Sequence, residues 1–267
     1  MIKKNIIVLI TGQLRFFSKK NYENIIKSFE GHNLDFFITC WEDQPEELFN
    51  IFSTNYNPIK IKKIKSQNFS FLAKNIKIPD TAVNAENIFH MWYSFSEGCK
   101  EIKNFTFKNK PDFVLRFRSD ILPKYDEFFI NCELKKKQVL IPDRYHWNGI
   151  NDQLFLFSFS DLEDFISIND YIINYQKKNL LFSSELIFQR FLKKLYLEIN
   201  YINFNYKIMK KKNNSKNASL KKDIQNNIPF REKFFVSINK LKFKLRNFKE
   251  FYITKNKRNK YQDIFVE

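Results

Sequence analysis

An α/β fold, with a mixed, mostly parallel sheet flanked by helices, is predicted by three observations in the sequence. Lys4 to Ile10 carries a continuous apolar run rich in β-branched residues, the pattern of a strand covered on both faces. Strand-like and helix-like segments then alternate at spacings suited to right-handed crossovers. Several of the strand-like segments end in small, aromatic or charged residues, and open α/β sheets bind ligands at such carboxyl ends.

Each element follows from its own residues. After the first strand, Thr11-Gly12-Gln13-Leu14-Arg15 reads as a tight turn, and Asn21 to Phe29 as a helix. Leu34 to Thr39 is a second strand that ends at Cys40-Trp41. Glu46 to Tyr56 is predicted helical and Ile59 to Ile64 a third strand. In Asn84 to Lys103 the residues Ile88, Trp92, Phe95 and Cys99 recur at helical spacing, which predicts a long helix with one buried stripe. Pro111-Asp112 opens a strand over Phe113 to Phe117, and Val139 to Ile141 is another short strand. The polar loop His146 to Asp152 leads into a strand over Leu154 to Phe159. Helices over Leu162 to Lys177 and Ser184 to Leu195 complete the body.

Charge divides the chain. The net charge is +17, yet residues 205–267 hold 18 of the 46 Lys and Arg and only 5 of the 29 Asp and Glu. A body over residues 1–204 is therefore nearly balanced, and 205–267 form a basic appendage. Within it, Lys210 to Asn227 has the composition of a linker. Phe230, Phe234, Ile238, Leu241, Leu245, Phe248 and Tyr252 then lie along one narrow helical stripe edged by Lys and Arg. That pattern fits a peripheral helix on an anionic membrane, or docking on a partner enzyme. Nucleic-acid binding would use the same charge, but no helix-turn-helix, zinc-finger or RNP pattern accompanies it. Cys40, Cys99 and Cys132 are widely spaced, which suits reduced thiols in a cytoplasm rather than a disulfide or zinc framework. The N-terminal apolar run, Ile6 to Ile10, is too short for a signal peptide, and no segment has the roughly 18 apolar residues of a membrane span.

Three strand ends are candidate ligand positions: Thr11-Gly12-Gln13-Leu14-Arg15, Thr39-Cys40-Trp41 and Arg118-Ser119-Asp120. Gly12 permits close backbone approach, Arg15 can neutralise a phosphate and Trp41 can stack on a base or sugar ring. Taken singly, they read equally well as a turn glycine, a surface arginine and a packed tryptophan. In PDFVLRFRSDIL, Val114, Arg116, Arg118 and Asp120 share one face by alternation. Two arginines and an aspartate there are costly unless they meet a ligand or each other. Asp120 is thus a candidate for a divalent cation or a donor ribose, and Arg116 and Arg118 for a diphosphate. The alternative is a structural Arg–Asp pair. His90 reads as a core or surface histidine beside aromatics.

The order ITGQLR, FFITCW, FHMWYSF, PDFVLRFRSDI, GINDQLFLFS and SSELIFQRFL resembles WavE-like and related polysaccharide-biosynthesis glycosyltransferases of the GT-A-like class, over roughly residues 5 to 195. The resemblance implies a nucleotide-diphosphate-sugar donor and a glycan acceptor, as in capsule or lipopolysaccharide assembly. The cysteine usage and the basic stripe suit a cytoplasmic enzyme working at the inner face of the membrane. Thr11, Gly12, Gln13, Arg15, Trp41, Arg116 and Arg118 become donor-side residues. Arg118-Ser119-Asp120 falls where such enzymes keep a DxD motif, with arginine at its first position. Either Asp120 and the diphosphate oxygens hold Mg²⁺ or Mn²⁺, or the arginines replace the metal. The loop holding Trp147, Asn148, Asn151 and Asp152 looks like the acceptor side, with Asp152 as general base and Glu185 as the second candidate. Asp152 is expected to be the better exposed of the two. Its alternative reading is an Asx-type turn or cap, and that of Glu185 an acidic residue in the first turn of a helix. A non-catalytic scaffold of a glycan-assembly complex would use the same residues for binding alone.

Overall fold

The structure is a computed structural model that describes residues 3–15, 19–74, 76, 84–123, 134–143, 149–178, 180–204 and 206–208. The chain runs through β1 (Asn5–Gly12), α1 (Lys19–Ser28), β2 (Asn33–Trp41), α2 (Glu46–Tyr56), β3 (Lys60–Ile64), α3 (Ser70–Ala73) and α4 (Ala85–Asn104). There follow β4 (Phe113–Phe117), β5 (Ile121–Pro123), β6 (Gln138–Pro142) and β7 (Leu154–Ser158). The last elements are α5 (Leu162–Ile166), α6 (Ile168–Gln176), α7 (Ser184–Lys194), β8 (Glu198–Ile202) and β9 (Tyr206–Ile208). Seven strands form one sheet in the order β3-β2-β1-β4-β7-β6-β8, and β5 pairs with β9 beside it. Only β7 runs against the others in the large sheet. The fold class expected from the sequence is the one observed.

Alternation along the central strands explains the layers. Ile7 and Leu9 of β1, Val114 of β4 and Phe155 and Phe157 of β7 face α4, α5, α6 and α7. Ile6, Val8 and Ile10 of β1, Phe113, Leu115 and Phe117 of β4 and Leu154 and Leu156 of β7 face the second core, which takes in Ile25 of α1 and Phe49, Phe52 and Tyr56 of α2. A strand covered on both faces needs a run of apolar side chains, as Ile6 to Ile10 of NIIVLITG supply. Helix α4 starts at Asn84, whose side chain accepts from the Glu86 backbone N–H at 3.0 Å. It lies close on the sheet at Gly98, where a Cβ would stand 2.8 Å from the Leu9 side chain.

Four expectations are revised. Thr11-Gly12 is the end of β1 rather than a turn, and Gly12 has φ +87°, a conformation that favours glycine. The helix expected over Leu162 to Lys177 is interrupted at Ser167, whose N–H bonds back to Asp164 O at 3.3 Å. Strands β8 and β9 went unpredicted because they are short and partly polar, although Ile202, Phe204 and Tyr206 alternate into the core. The folded body therefore continues past residue 204 to Ile208. The basic stripe Phe230 to Tyr252 lies outside the described residues. Among the described residues no helix is long and apolar enough to cross a membrane.

Candidate active site

Parallel strands bring their carboxyl ends to one edge, which collects Gly12, Trp41 and the turn Arg118–Asp120. Because β7 is reversed, its start lies there too, with Leu154 opposite Phe117. Asn151, Asp152 and Gln153 thus stand beside the end of β4. The start of α7 is tied to this loop by Ile150 N–H donating to Glu185 O at 3.2 Å. The approach is so close that a Cβ on Gly149 would sit 2.3 Å from Glu185 O, which only glycine tolerates.

Ser119, read in the sequence only as the middle of the Arg118-Ser119-Asp120 strand end, and Gln44, which was not singled out, lock the edge. Ser119 Oγ donates to Gln13 O at 3.0 Å and accepts from Arg15 N–H at 2.9 Å, which joins the segment after β1 to the one after β4. Gln44 accepts from Leu14 N–H at 2.7 Å and donates to Gly12 O at 3.3 Å, which adds the loop after β2. Neither has a signal of its own in the sequence beyond the polar R-S-D turn and the loop before α2. Gln13 and Arg15 stay exposed, with Arg15 Nε 2.8 Å from Gln13 Oε1. Trp41 is half-buried, parallel to Tyr93 at a centroid distance of 6.2 Å, and His90 meets it edge-on at 5.2 Å. Burial lowers the His90 pKa against the pull of Glu86, as suits a histidine packed among aromatics.

The arginines part company. Arg118 and Asp120 form a bidentate pair, Nε to Oδ1 at 3.0 Å and a terminal nitrogen to Oδ2 at 2.5 Å. Burial works against the Arg118 charge, but Asp120, with Asp152 and Tyr206, outweighs it and the pKa is raised. Both Asp120 oxygens are engaged, so its carboxylate is not offered to a cation in this arrangement. The described residues contain no group of three His, Cys, Asp or Glu that suits a metal ion. Arg116 corrects the expectation of a donor contact. It is fully buried, in register between Leu9 of β1 and Phe155 of β7. Its guanidinium lies 4.3 Å from the Trp92 ring, 5.0 Å from Phe95 and 5.5 Å from Phe155. None of its three side-chain nitrogens has a hydrogen-bond partner among the described residues. Burial lowers its pKa to about 10, while the Asp152 charge opposes that fall.

The acceptor-side residues divide similarly. Trp147 and Asn148 lie outside the described residues. Asn151 is wholly buried: its amide donates to Tyr206 Oη at 2.6 Å and its Oδ1 accepts from Gln153 N–H at 2.9 Å, an Asx-type turn. It holds the loop from within the core. Asp152 is only 3% exposed, whereas Glu185 is partly exposed, the reverse of the expected order. Ser184 Oγ donates to Asp152 Oδ2, and Ser183 Oγ donates to Glu185 Oε2 at 2.6 Å.

Burial and then the Asp152 charge push the Glu185 carboxyl up to about 7, against the Ser183 hydrogen bond. The folded state thus holds this proton more tightly than the unfolded chain does. The associated stability is full below the ordinary value of 4.5 and is lost as pH rises through about 7. Glu185→Gln is expected to flatten that part of the pH dependence. It should gain about 1–3 kcal/mol relative to the parent at pH values above the window. Urea unfolding of both proteins on either side of the window checks this, and parallel curves would show that Glu185 ionises normally.

No protein-family model matches this chain, and no curated protein matches it. Among the solved structures with a similar arrangement of elements are two glycosyltransferases. GlyE of Streptococcus pneumoniae TIGR4 aligns with 75% of this chain at 16% identity and TM-score 0.46. The chain spans only 45% of the GlyE length. The galactosyltransferase LgtC, solved with donor and acceptor sugar analogues, aligns over 73% of this chain and 72% of its own at 11% identity and TM-score 0.47. At such values the likeness concerns general arrangement alone.

Proposed function

We propose that this chain is a GT-A-like glycosyltransferase, moving a sugar from a nucleotide-diphosphate donor to a hydroxyl of a surface glycan, of capsule or lipopolysaccharide type. One observation carries the reading: a nearly buried carboxylate, Asp152, and a second carboxyl, Glu185, adjoin arginine-bearing strand ends on the ligand-binding edge of the sheet. Displacement at an anomeric carbon needs a base for the acceptor hydroxyl and positive charge for the departing diphosphate. Asp152 takes the acceptor proton as the acceptor oxygen bonds to the anomeric carbon. The bond from that carbon to the diphosphate oxygen breaks, and its electron pair leaves with the nucleoside diphosphate. Arg15, and Arg118 through its outer face, meet the diphosphate, while Trp41 offers a ring to the base or sugar. The basic 205–267 segment would hold the enzyme at the cytoplasmic face of an anionic membrane.

A scaffold that binds a nucleotide-sugar without turnover is favoured by the closed Arg118–Asp120 pair, which engages both oxygens of Asp120. A thermal-shift screen against UDP-, GDP-, CMP- and dTDP-sugars, with and without Mn²⁺, tests both readings. A donor at about 100 times its Kd adds about 2.7 kcal/mol of apparent stability, a shift of several degrees. A shift with nucleotide release supports the enzyme, and a shift without release supports the scaffold. No shift with any donor overturns both.

A further inference from the structure

Behind the edge lies a polar chain that the transfer chemistry above does not itself require. Trp92 Nε1–H donates to Ser184 Oγ at 3.0 Å, and Ser184 Oγ donates to Asp152 Oδ2. The direction follows from the groups. An indole N–H can only donate, so it occupies an acceptor position on the serine oxygen. The single serine proton is then free for the carboxylate, which when ionised can only accept. The fully buried Trp92 ring is also the nearest face to the Arg116 guanidinium, at 4.3 Å.

The rest of the surroundings leaves Arg116 without another purpose. A guanidinium in an aromatic box, with no hydrogen bond among the described residues, is costly unless an opposite charge offsets it. The charged and titratable groups that act on this cluster are Arg116 of β4, Arg118 and Asp120 beyond it, Cys99 of α4, Glu185 of α7 and Tyr206 of β9. Asp120 is taken by Arg118, which leaves Asp152 as the anion that Arg116 answers. The two form no direct ion pair and interact through space.

We infer that Ser184 is a positioning residue: accepting from Trp92 and donating to Asp152, it aims the carboxylate that takes the acceptor proton. Trp92, a core aromatic by its helical spacing, therefore has a second duty through its indole N–H. The inference rests on the reading of Asp152 as the base, but the chain of hydrogen bonds is measurable without any donor or acceptor.

The test is ¹⁵N NMR of the full chain, with the Trp92 indole signal identified by its loss in Trp92→Phe. In Ser184→Ala the indole proton should exchange with solvent roughly tenfold faster, because its hydrogen bond is gone. In Asp152→Ala the same indole signal should also move, since the serine proton loses its acceptor, although Trp92 does not bond to Asp152 itself. Ser184→Thr keeps the hydroxyl and should restore the parent signal. An indole signal unmoved in Asp152→Ala, or exchange unchanged in Ser184→Ala, would overturn the inference. With any nucleotide-sugar of the screen that turns over, Ser184→Ala should lower kcat about 10-fold to 10²-fold at unchanged KM, and Ser184→Thr should recover it. A loss confined to KM would also overturn it. The indole result with no turnover of any donor would retain the hydrogen-bond chain and remove the glycosyltransferase reading.

Discussion

Asp152→Asn is expected to lower transfer about 10²–10⁴-fold while a nucleotide-sugar still raises the melting temperature, because the change removes the base and leaves the donor side intact. Asparagine nearly matches aspartate in shape and can still accept from Ser184, so the local hydrogen bond survives. The lost charge leaves Arg116 without its counterpart in a fully buried aromatic box. Some loss of stability is therefore expected alongside the kinetic effect. Nucleotide release measured beside a melting curve separates the two. A folded Asp152→Asn protein that turns over normally would move the base role to Glu185, whose raised pKa also suits proton transfer near neutral pH. Loss of donor binding would instead place Asp152 on the donor side.

Shortening the chain is expected to be harmless after Ile208 and damaging after Phe204. Tyr206 is buried in the second core, and its hydroxyl sits between Asn151 and Gln153, accepting from the first at 2.6 Å and donating to the second at 3.2 Å. Removing it exposes the core and strips partners from two buried amides on the loop that carries Asp152. Burial of one large side chain is worth about 1.5–3 kcal/mol, and an unsatisfied buried polar group costs about 1–3 kcal/mol. The chain ending at Phe204 should therefore lose about 3–5 kcal/mol against the one ending at Ile208, a large part of a typical domain's stability. Urea midpoints of the two chains decide it, and Tyr206→Phe in the full chain isolates the hydroxyl. Equal midpoints would show that β9 is an accessory to the fold.

The central strands were legible because each carries its own signal. A strand covered on both faces must be apolar at every position, and Asn5–Gly12 and Phe113–Phe117 nearly are. The long helix Ala85–Asn104 announced itself by Ile88, Trp92, Phe95 and Cys99 at helical spacing. The reversal of Leu154–Ser158 was not legible. Strand direction depends on which neighbour pairs with it, and that contact joins residues far apart in the chain.

Sequence by itself determined the fold class, the edge at which the polar strand ends gather, and the residues Arg118, Asp120, Asp152 and Glu185 as a set worth examining. Alternation also put Arg116 on the correct face of its strand. Tertiary structure alone decided what each does. It paired Arg118 with Asp120, enclosed Arg116 under Trp92, and turned Asn151 inward to Tyr206. It also reversed the relative burial of Asp152 and Glu185. The physical reason is common to all four. Periodicity fixes the side of an element on which a side chain emerges, but charge, protonation and access depend on what other segments bring to that side.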